Sequence, residues 1–318
     1  MTNNVNSMYD TNDLWLPYEL IKDSGYLTRV PTLLTNTKET YNTDTREISI
    51  NGSIFGMRAR ISQAGMSLKG SICKSYLNDN FKTLTRQDTQ RAIEQLADTL
   101  LLPVYNANVT RIDFAQNLIV SQDPKSYFMF LGDSHTYRRE PIDKSLYYRN
   151  SLRTKLFYNK IAEGKARRLE IPPIWLDKHV LRYELRYLSR LPKQFNRSQI
   201  IAKDLYSESF YIDMVERWIL EWQNITKNSI INFNLENMES PKDFFTQMAL
   251  LKIKEIGQDN VLQMVEHLKA KKQFKQKEYY SRLKADIKRI CKTDGLTEDS
   301  QLITELDKQI MRIKEYYR

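Results

Sequence analysis

Histidine, cysteine and glycine are scarce in this chain, and each shortage removes a class of chemistry. The three histidines, His135, His179 and His267, lie far apart, so no zinc-protease pair sits on one helical turn and nothing supports a histidine-centred triad. Cys73 and Cys291 are the two cysteines. With no second cysteine near either, they make neither a disulfide framework nor a zinc knuckle and are expected to be free thiols. Nine glycines provide neither a Gly-x-x-x-x-Gly-Lys-Ser/Thr phosphate loop nor a dinucleotide fingerprint, which sets aside ATP hydrolysis and nicotinamide chemistry. No apolar run reaches the roughly 18 residues of a membrane span, and the N-terminus lacks a basic-then-apolar leader. The cytoplasm is the expected compartment, with no membrane partner.

Positive charge, by contrast, is in excess: 49 Lys+Arg stand against 39 Asp+Glu, a net of +10. The excess concentrates between Leu268 and Lys292. There Lys269, Lys271, Lys272, Lys275, Lys277, Arg282, Lys284, Lys288, Arg289 and Lys292 meet only Glu278 and Asp286. Such a helical stretch suits a polyphosphate, because each neutralised phosphate releases counterions. A solvated helix face has the same composition. Read as a DNA clamp, it assigns phosphate contacts to Lys271, Lys272, Lys275, Arg282, Lys284, Lys288 and Arg289.

Residues 1–44 are polar and rich in Asn and Thr, and read as an irregular arm with at most one strand. From Thr45 strand signals dominate. Ile48 to Ile54 alternates around Asn51-Gly52, a strong hairpin signal, and Met66 to Ile72 reads as another strand. Thr85 with Asp88 three residues on predicts a capped helix whose apolar stripe runs from Ala92 to Leu101. Strands are expected at Thr110–Val120, Ser145–Arg149, Thr154–Lys160 and Leu181–Leu188. After about Pro192 long helical patterns take over, including Ser207–Ile225 and a capped start at Ser240 for a helix ending at Gly257. Strands first and helices after argue for an α+β domain over residues 45–192, followed by a helical, basic region over 193–318.

Three of these strands carry unusual polar residues on one face, since a strand repeats its facing every two residues. Arg111, Asp113 and Asn117 share a face, as do Arg182, Glu184 and Arg186, and Tyr158 shares one with Lys160. If the strands adjoin, these groups meet. Two carboxylates with an amide offer hard oxygen ligands to Mg²⁺ or Mn²⁺, and the cations would stabilise charge on a phosphoryl-transfer transition state. On pattern alone, cross-strand ion pairs on the wet face of an amphipathic sheet explain the same alternation.

The order Arg111-Ile112-Asp113-Phe114-Ala115, then Lys155-Leu156-Phe157-Tyr158-Asn159-Lys160-Ile161-Ala162-Glu163, then Leu181-Arg182-Tyr183-Glu184-Leu185-Arg186 resembles the filamentous-phage gene II/X replication proteins. It is also similar to the rolling-circle initiators of small plasmids. Ser145-Leu146-Tyr147-Tyr148-Arg149 resembles the short strand preceding their Tyr-x-Lys element, and the likeness runs from about Asn51 to Arg190. It implies a nuclease core on a curved antiparallel sheet that nicks one strand at an origin, leaving a 5′-phosphotyrosyl link and a free 3′-hydroxyl. By position, the resemblance makes Tyr158 the nucleophile, Asp113 and Glu184 the metal ligands with Asn117 where many relatives have a second acid, and Lys160 a phosphate contact. Arg182 and Arg186 would stabilise charge, and Arg111 and Lys155 would contact DNA. Tyr147, Tyr148, Tyr183 and Tyr187 are alternative nucleophiles. The implied partner is single-stranded or unwound origin DNA, with a host helicase as a further candidate. Origin binding without cutting and a mobilisation relaxase with the same chemistry are the competing readings.

Overall fold

The structure is a computed structural model that describes residues 7–79, 81–228, 230, 231, 240–291, 297, 298 and 300–314. It is α+β, built on one large antiparallel sheet. Twelve strands matter here: β1 (Ser7–Pro17), β2 (Thr35–Tyr41), β3 (Ile48–Ile54), β4 (Met57–Ser62), β5 (Gly65–Lys69), β6 (Leu84–Thr85), β7 (Asn108–Val120), β8 (Leu131–Ser134), β9 (Arg138–Ile142), β10 (Ser145–Arg149), β11 (Arg153–Asn159) and β12 (His179–Tyr187). The sheet order is β2-β3-β4-β5-β1-β7-β12-β11-β10-β9, with β6 pairing β1 at its edge.

The chain divides into two compact units, Met1–Thr226 with Glu305–Arg318, and Lys227–Thr304. The expected change at residue 192 therefore falls elsewhere. The helix Glu208–Gln223 belongs to the first unit because its apolar stripe needs the sheet: Trp218 packs tilted against Tyr183 at 4.5 Å, Tyr183 stacks on Phe157 at 4.5 Å, and Tyr211 packs against Tyr9 and Phe114. C-terminal residues return to the same unit. The Glu305 carboxylate accepts from Ser121 Oγ at 2.9 Å, and Gln309 Nε2 donates to the Ile119 carbonyl at 2.6 Å.

The irregular arm is corrected most clearly. Beyond residues 1–6, which lie outside the described ones, it supplies β1, an interior strand between β5 and β7. From Thr11 onward its burial alternates, with Asn12, Leu14 and Leu16 inward and Thr11, Asp13 and Trp15 outward, after a register shift between Tyr9 and Thr11. Pairing with two neighbours holds this polar segment extended despite its weak strand composition.

The β3–β4 turn also moves from its expected place. Asn51-Gly52 lies inside β3, and the two-residue turn is Phe55-Gly56, both with positive φ, at 48° and 77°. Gly52 is required for another reason: a Cβ there would lie 2.9 Å from Leu34 Cβ. Ile72 begins a helix rather than ending a strand, because Ser71 Oγ accepts from the Lys74 amide as its N-cap. The Thr85–Asp88 capping box forms as expected.

Trp218 is fully buried. Trp218→Ala should cost about 3–5 kcal/mol of stability, read as a lowered urea midpoint with an unchanged m-value; a loss below about 1 kcal/mol would show that the helix does not anchor the sheet.

In the second unit, the basic stretch is a helical hairpin instead of one helix. Helices Gln258–Ala270 and Glu278–Cys291 pack through Val265, Tyr280 and Ile287. Between them Lys272 turns back with φ 49°, and the Phe274 amide donates to Tyr280 Oη at 2.7 Å. Crowded lysines at positions 271, 272 and 275 repel one another and present no apolar stripe to continue the helix. Lys292 lies outside the described residues.

Candidate active site

Adjacent pairing of β7, β12 and β11 brings the expected side chains together. Arg182 lies opposite Asn117 on one side and Tyr158 on the other, and Arg186 lies opposite Asp113 and Thr154. One face of three strands therefore carries Arg111, Asp113, Asn117, Tyr158, Arg182, Glu184 and Arg186.

Glu184 is the hub, 2% exposed. Its Oε1 accepts from Tyr158 Oη at 2.7 Å and Arg182 Nε at 2.9 Å, and its Oε2 from Arg186 Nη2 at 2.6 Å. Asp113, also 2% exposed, takes a two-pronged pair from Arg111 at 2.8 and 2.7 Å, with Arg186 Nε 3.6 Å away. Arg182 is fully buried; its Nη1 donates to Asn117 Oδ1 at 3.1 Å and its Nη2 to Asp10 Oδ2 at 2.9 Å. Asn117 Nδ2 in turn donates to the Phe81 carbonyl. An amide can make both bonds at once, whereas an aspartate would set two acceptors against each other.

Burial pushes the Asp113 carboxyl up to about 6 despite Arg111 and Arg186. Burial acts on Glu184 in the same sense, but Arg186 and Arg182 outweigh it and hold the carboxyl down at about 2. The Tyr158 hydroxyl is raised well above its ordinary value, chiefly by burial, with Arg182 pulling the other way. In this arrangement the tyrosine is protonated and its carboxylate partner is a weak base.

The expected metal ligands are otherwise occupied. Both carboxylates and Asn117 Oδ1 accept from guanidinium groups, and Arg186 sits between Asp113 and Glu184. Among the described residues no three of His, Cys, Asp and Glu converge to hold a metal. The donor atoms are of the right kind for Mg²⁺ or Mn²⁺, but as arranged the set does not fit a cation.

Three further expectations change. Lys155 is not on a DNA-facing surface: it is fully buried on the opposite face, with Nζ 2.8 Å from Ser134 Oγ and from the Glu221 carboxylate. Leu156 and Tyr158 lie opposite Glu184 and Arg182 and share their face, so Lys155 between them points to the other one. Lys160 does not extend β11 but opens the helix Lys160–Ala166, capped by Asn159, and is 1% exposed beside Glu163 at 2.9 Å. Its ammonium lies 5.9 Å from the Tyr158 ring centre, and burial lowers its proton affinity. Among the alternative tyrosines, Tyr148, Tyr183 and Tyr187 are fully buried on the far face. Tyr147 shares the face of Tyr158 but stacks under Arg149 at 4.2 Å.

Asp10 was not legible as a site residue, because it lies in the segment read as irregular. Its carboxylate neutralises buried Arg182 and accepts from Ser71 Oγ at 3.0 Å. Around this face, from β1 into the helix Glu208–Gln223, runs a match to known proteins. A family model for the N-terminal region of the phage gene II replication-associated protein matches residues 8–221. The chain belongs to this family. It is thus a replication-associated protein of the filamentous-phage gene II type. No curated protein is significantly similar to it. The match starts at β1, which agrees with that strand being integral to the sheet.

In the second unit, Lys271, Lys272, Lys275, Arg282, Lys288 and Arg289 are exposed. Lys284 is half-buried and pairs with Glu266, while Arg289 pairs with Asp286 at 2.7 Å. These two are less free for phosphate than composition implied. No helix among the described residues is long and apolar enough to cross a membrane.

Proposed function

We propose that this protein initiates rolling-circle replication by nicking one strand of unwound origin DNA, with Tyr158 as nucleophile. The observation that carries this reading is the Tyr158 hydroxyl bonded to Glu184 amid Arg182 and Arg186 on one sheet face. Tyr158 Oη forms a bond to the scissile phosphorus, and the bond from phosphorus to the 3′-oxygen breaks. The electron pair leaves on that oxygen, which takes up a proton, giving a 5′-phosphotyrosyl link and a free 3′-hydroxyl. The tyrosine proton passes to Glu184.

The resting state holds this step back, and the substrate releases it. A phosphate at Tyr158 competes with Glu184 for the Arg186 guanidinium. As Arg186 turns to the phosphate, Glu184 loses the charge that keeps it a weak base, and the negative charge growing on phosphorus gains a donor. Base and electrostatic stabiliser are then produced by the same movement. No step is routed through a divalent cation; cleavage in EDTA measured against Mg²⁺ and Mn²⁺ decides whether one takes part.

The test is a denaturing gel of the protein with single-stranded origin DNA, where a covalent adduct is expected. Its absence under conditions of tight binding would favour the second reading, origin binding without cutting. The guanidinium groups that occupy Asp113, Asn117 and Glu184 are the observation that favours that alternative.

We also assign the lysine-rich hairpin turn to phosphate positioning rather than base reading, since lysine acts as a point charge. With about five phosphate contacts, the log–log salt slope on duplex DNA should be roughly −4 to −5. Replacing Lys271, Lys272 and Lys275 with Gln should flatten it by up to about 3 on origin and random DNA alike. An unchanged slope would mean that the turn faces solvent, and loss confined to origin DNA would make it a reader.

A further inference from the structure

The face that carries Tyr158 continues past β7 onto the N-terminal half of the sheet. Registers align Trp15 with Ser67, Ser67 with Arg60, and Arg60 with Asn51, which lies opposite Lys38. A second row aligns Lys69 with Arg58 and Ser53. Burial confirms the facing on β4 and β5: Arg58, Arg60 and Lys69 are exposed, while the intervening Met57, Ala59, Ile61, Met66 and Leu68 form the core; Trp15 of β1 is half-buried, and β2 with Lys38 is exposed throughout.

This half of the sheet is basic on its wet side. None of Lys38, Arg58, Arg60 and Lys69 pairs with a carboxylate among the described residues. The acid next to them on β1, Asp13, accepts from the Gly70 amide at 3.2 Å. Register also fixes their direction from the nucleophile. Tyr158 aligns through Arg182 with Asn117 of β7, whereas Trp15 aligns with Asn108, at the other end of the same strand. Between them lie Arg186 and Arg111, whose side chains are 28% and 32% exposed. Cations thus run diagonally over the sheet from Arg186 through Arg111 to Lys69, Arg58 and Arg60. With strands about 4.8 Å apart and residues about 3.3 Å apart along them, the way from Tyr158 to Arg60 is roughly 40 Å and the cations from Arg186 onward cover roughly 25 Å of it. The nearby cleft between Asp79 and Glu170, of about 370 Å³, mixes Lys74 with those acids and is a poorer path for phosphates.

The geometry points to a track for single-stranded DNA that leads from Tyr158 across the sheet to Arg58, Arg60 and Lys69. It rests on the nicking reading only for which end of the track is reactive. Cations in a line hold a backbone without reading bases, and the half-buried indole of Trp15 offers a stacking surface for an unpaired base. A duplex would shield its bases from Trp15. The track therefore holds DNA flanking the cut, on one side of it.

The test uses the full chain and oligothymidylates of about 8 and about 30 nucleotides, lengths that bracket known single-strand site sizes. Wild type should bind the longer oligomer at least about tenfold more tightly. Arg58→Gln, Arg60→Gln and Lys69→Gln together should remove most of that preference and reduce the salt slope by about 2, from three contacts at about 0.7 each. The thermal midpoint should not move, because the three side chains are exposed and pair with no carboxylate among the described residues. Unchanged length preference and slope would overturn the proposal. Equal losses on a duplex of the same length would overturn its assignment to a single strand. If wild type shows the track effect but no covalent adduct on origin DNA, the nicking reading fails and the track stands.

Discussion

Replacing Tyr158 with Phe is expected to abolish the covalent protein–DNA adduct while leaving DNA affinity within about twofold. The substitution removes one oxygen from a half-buried ring and leaves in place the guanidinium groups proposed to bind phosphate. Binding and chemistry separate cleanly because Arg182 and Arg186 retain Glu184 as a partner without the hydroxyl. Tyr147→Phe is the control. Tyr147 shares the face and is stacked under Arg149, and its variant should form adduct at the wild-type rate. An adduct from the Tyr158→Phe protein, or its loss from the Tyr147→Phe protein, would move the nucleophile.

Removing the charge of Glu184 should have the next largest effect. Glu184→Gln keeps the shape and most hydrogen bonds but cannot take up the tyrosine proton, so single-turnover cleavage should fall about 10²–10⁴-fold. Alanine at this position is a different experiment. It would also destabilise the fold, because buried Arg182 would lose one of its two carboxylate partners. Breaking a buried pair from one side costs about 3–5 kcal/mol. Glutamine is therefore the informative change, with the unfolding midpoint as its check. A Gln variant that cuts at the wild-type rate would remove Glu184 from the proton path.

Acid stability provides an independent reading of the same carboxylate. The folded state lowers the Glu184 proton affinity from the ordinary 4.5 to about 2. Its contribution is present above about pH 4.5 and lost as pH falls towards 2. Asp113, raised to about 6, acts with the opposite sign, and its contribution is lost as pH rises from about 4 to 6. Acid unfolding of Glu184→Gln should therefore lack the wild-type loss below pH 4.5. Identical acid limbs in the two proteins would mean that Glu184 is not held ionised.

Much of the site was legible before the fold was known. Period-two alternation put Arg111, Asp113 and Asn117 on one face and Arg182, Glu184 and Arg186 on another, and the two faces proved to be one. Alternation is local and survives in any sheet that buries one side. Strand ends were less legible. Lys160 was extrapolated along β11, but Asn159 caps a helix there, and a side chain that accepts from the Ala162 amide overrides the strand pattern. Asp10 and the Arg58–Arg60–Lys69 rows could not be joined to the site from sequence, since their partners are set by strand order.

By itself, then, the sequence determined the local periods, the helix caps, the chemical inventory of the polar face and the family resemblance, because each depends on residues close along the chain. Tertiary structure alone decided three matters. It placed a weakly strand-forming N-terminal segment between β5 and β7, it set Tyr158 and Tyr147 on one face of the sheet and buried Tyr148, Tyr183 and Tyr187 on the other, and it made the carboxylates of Asp113 and Glu184 partners of arginines. Each is a long-range pairing, in which residues distant in sequence compete for the same hydrogen bonds and buried space, and no local pattern records the winner.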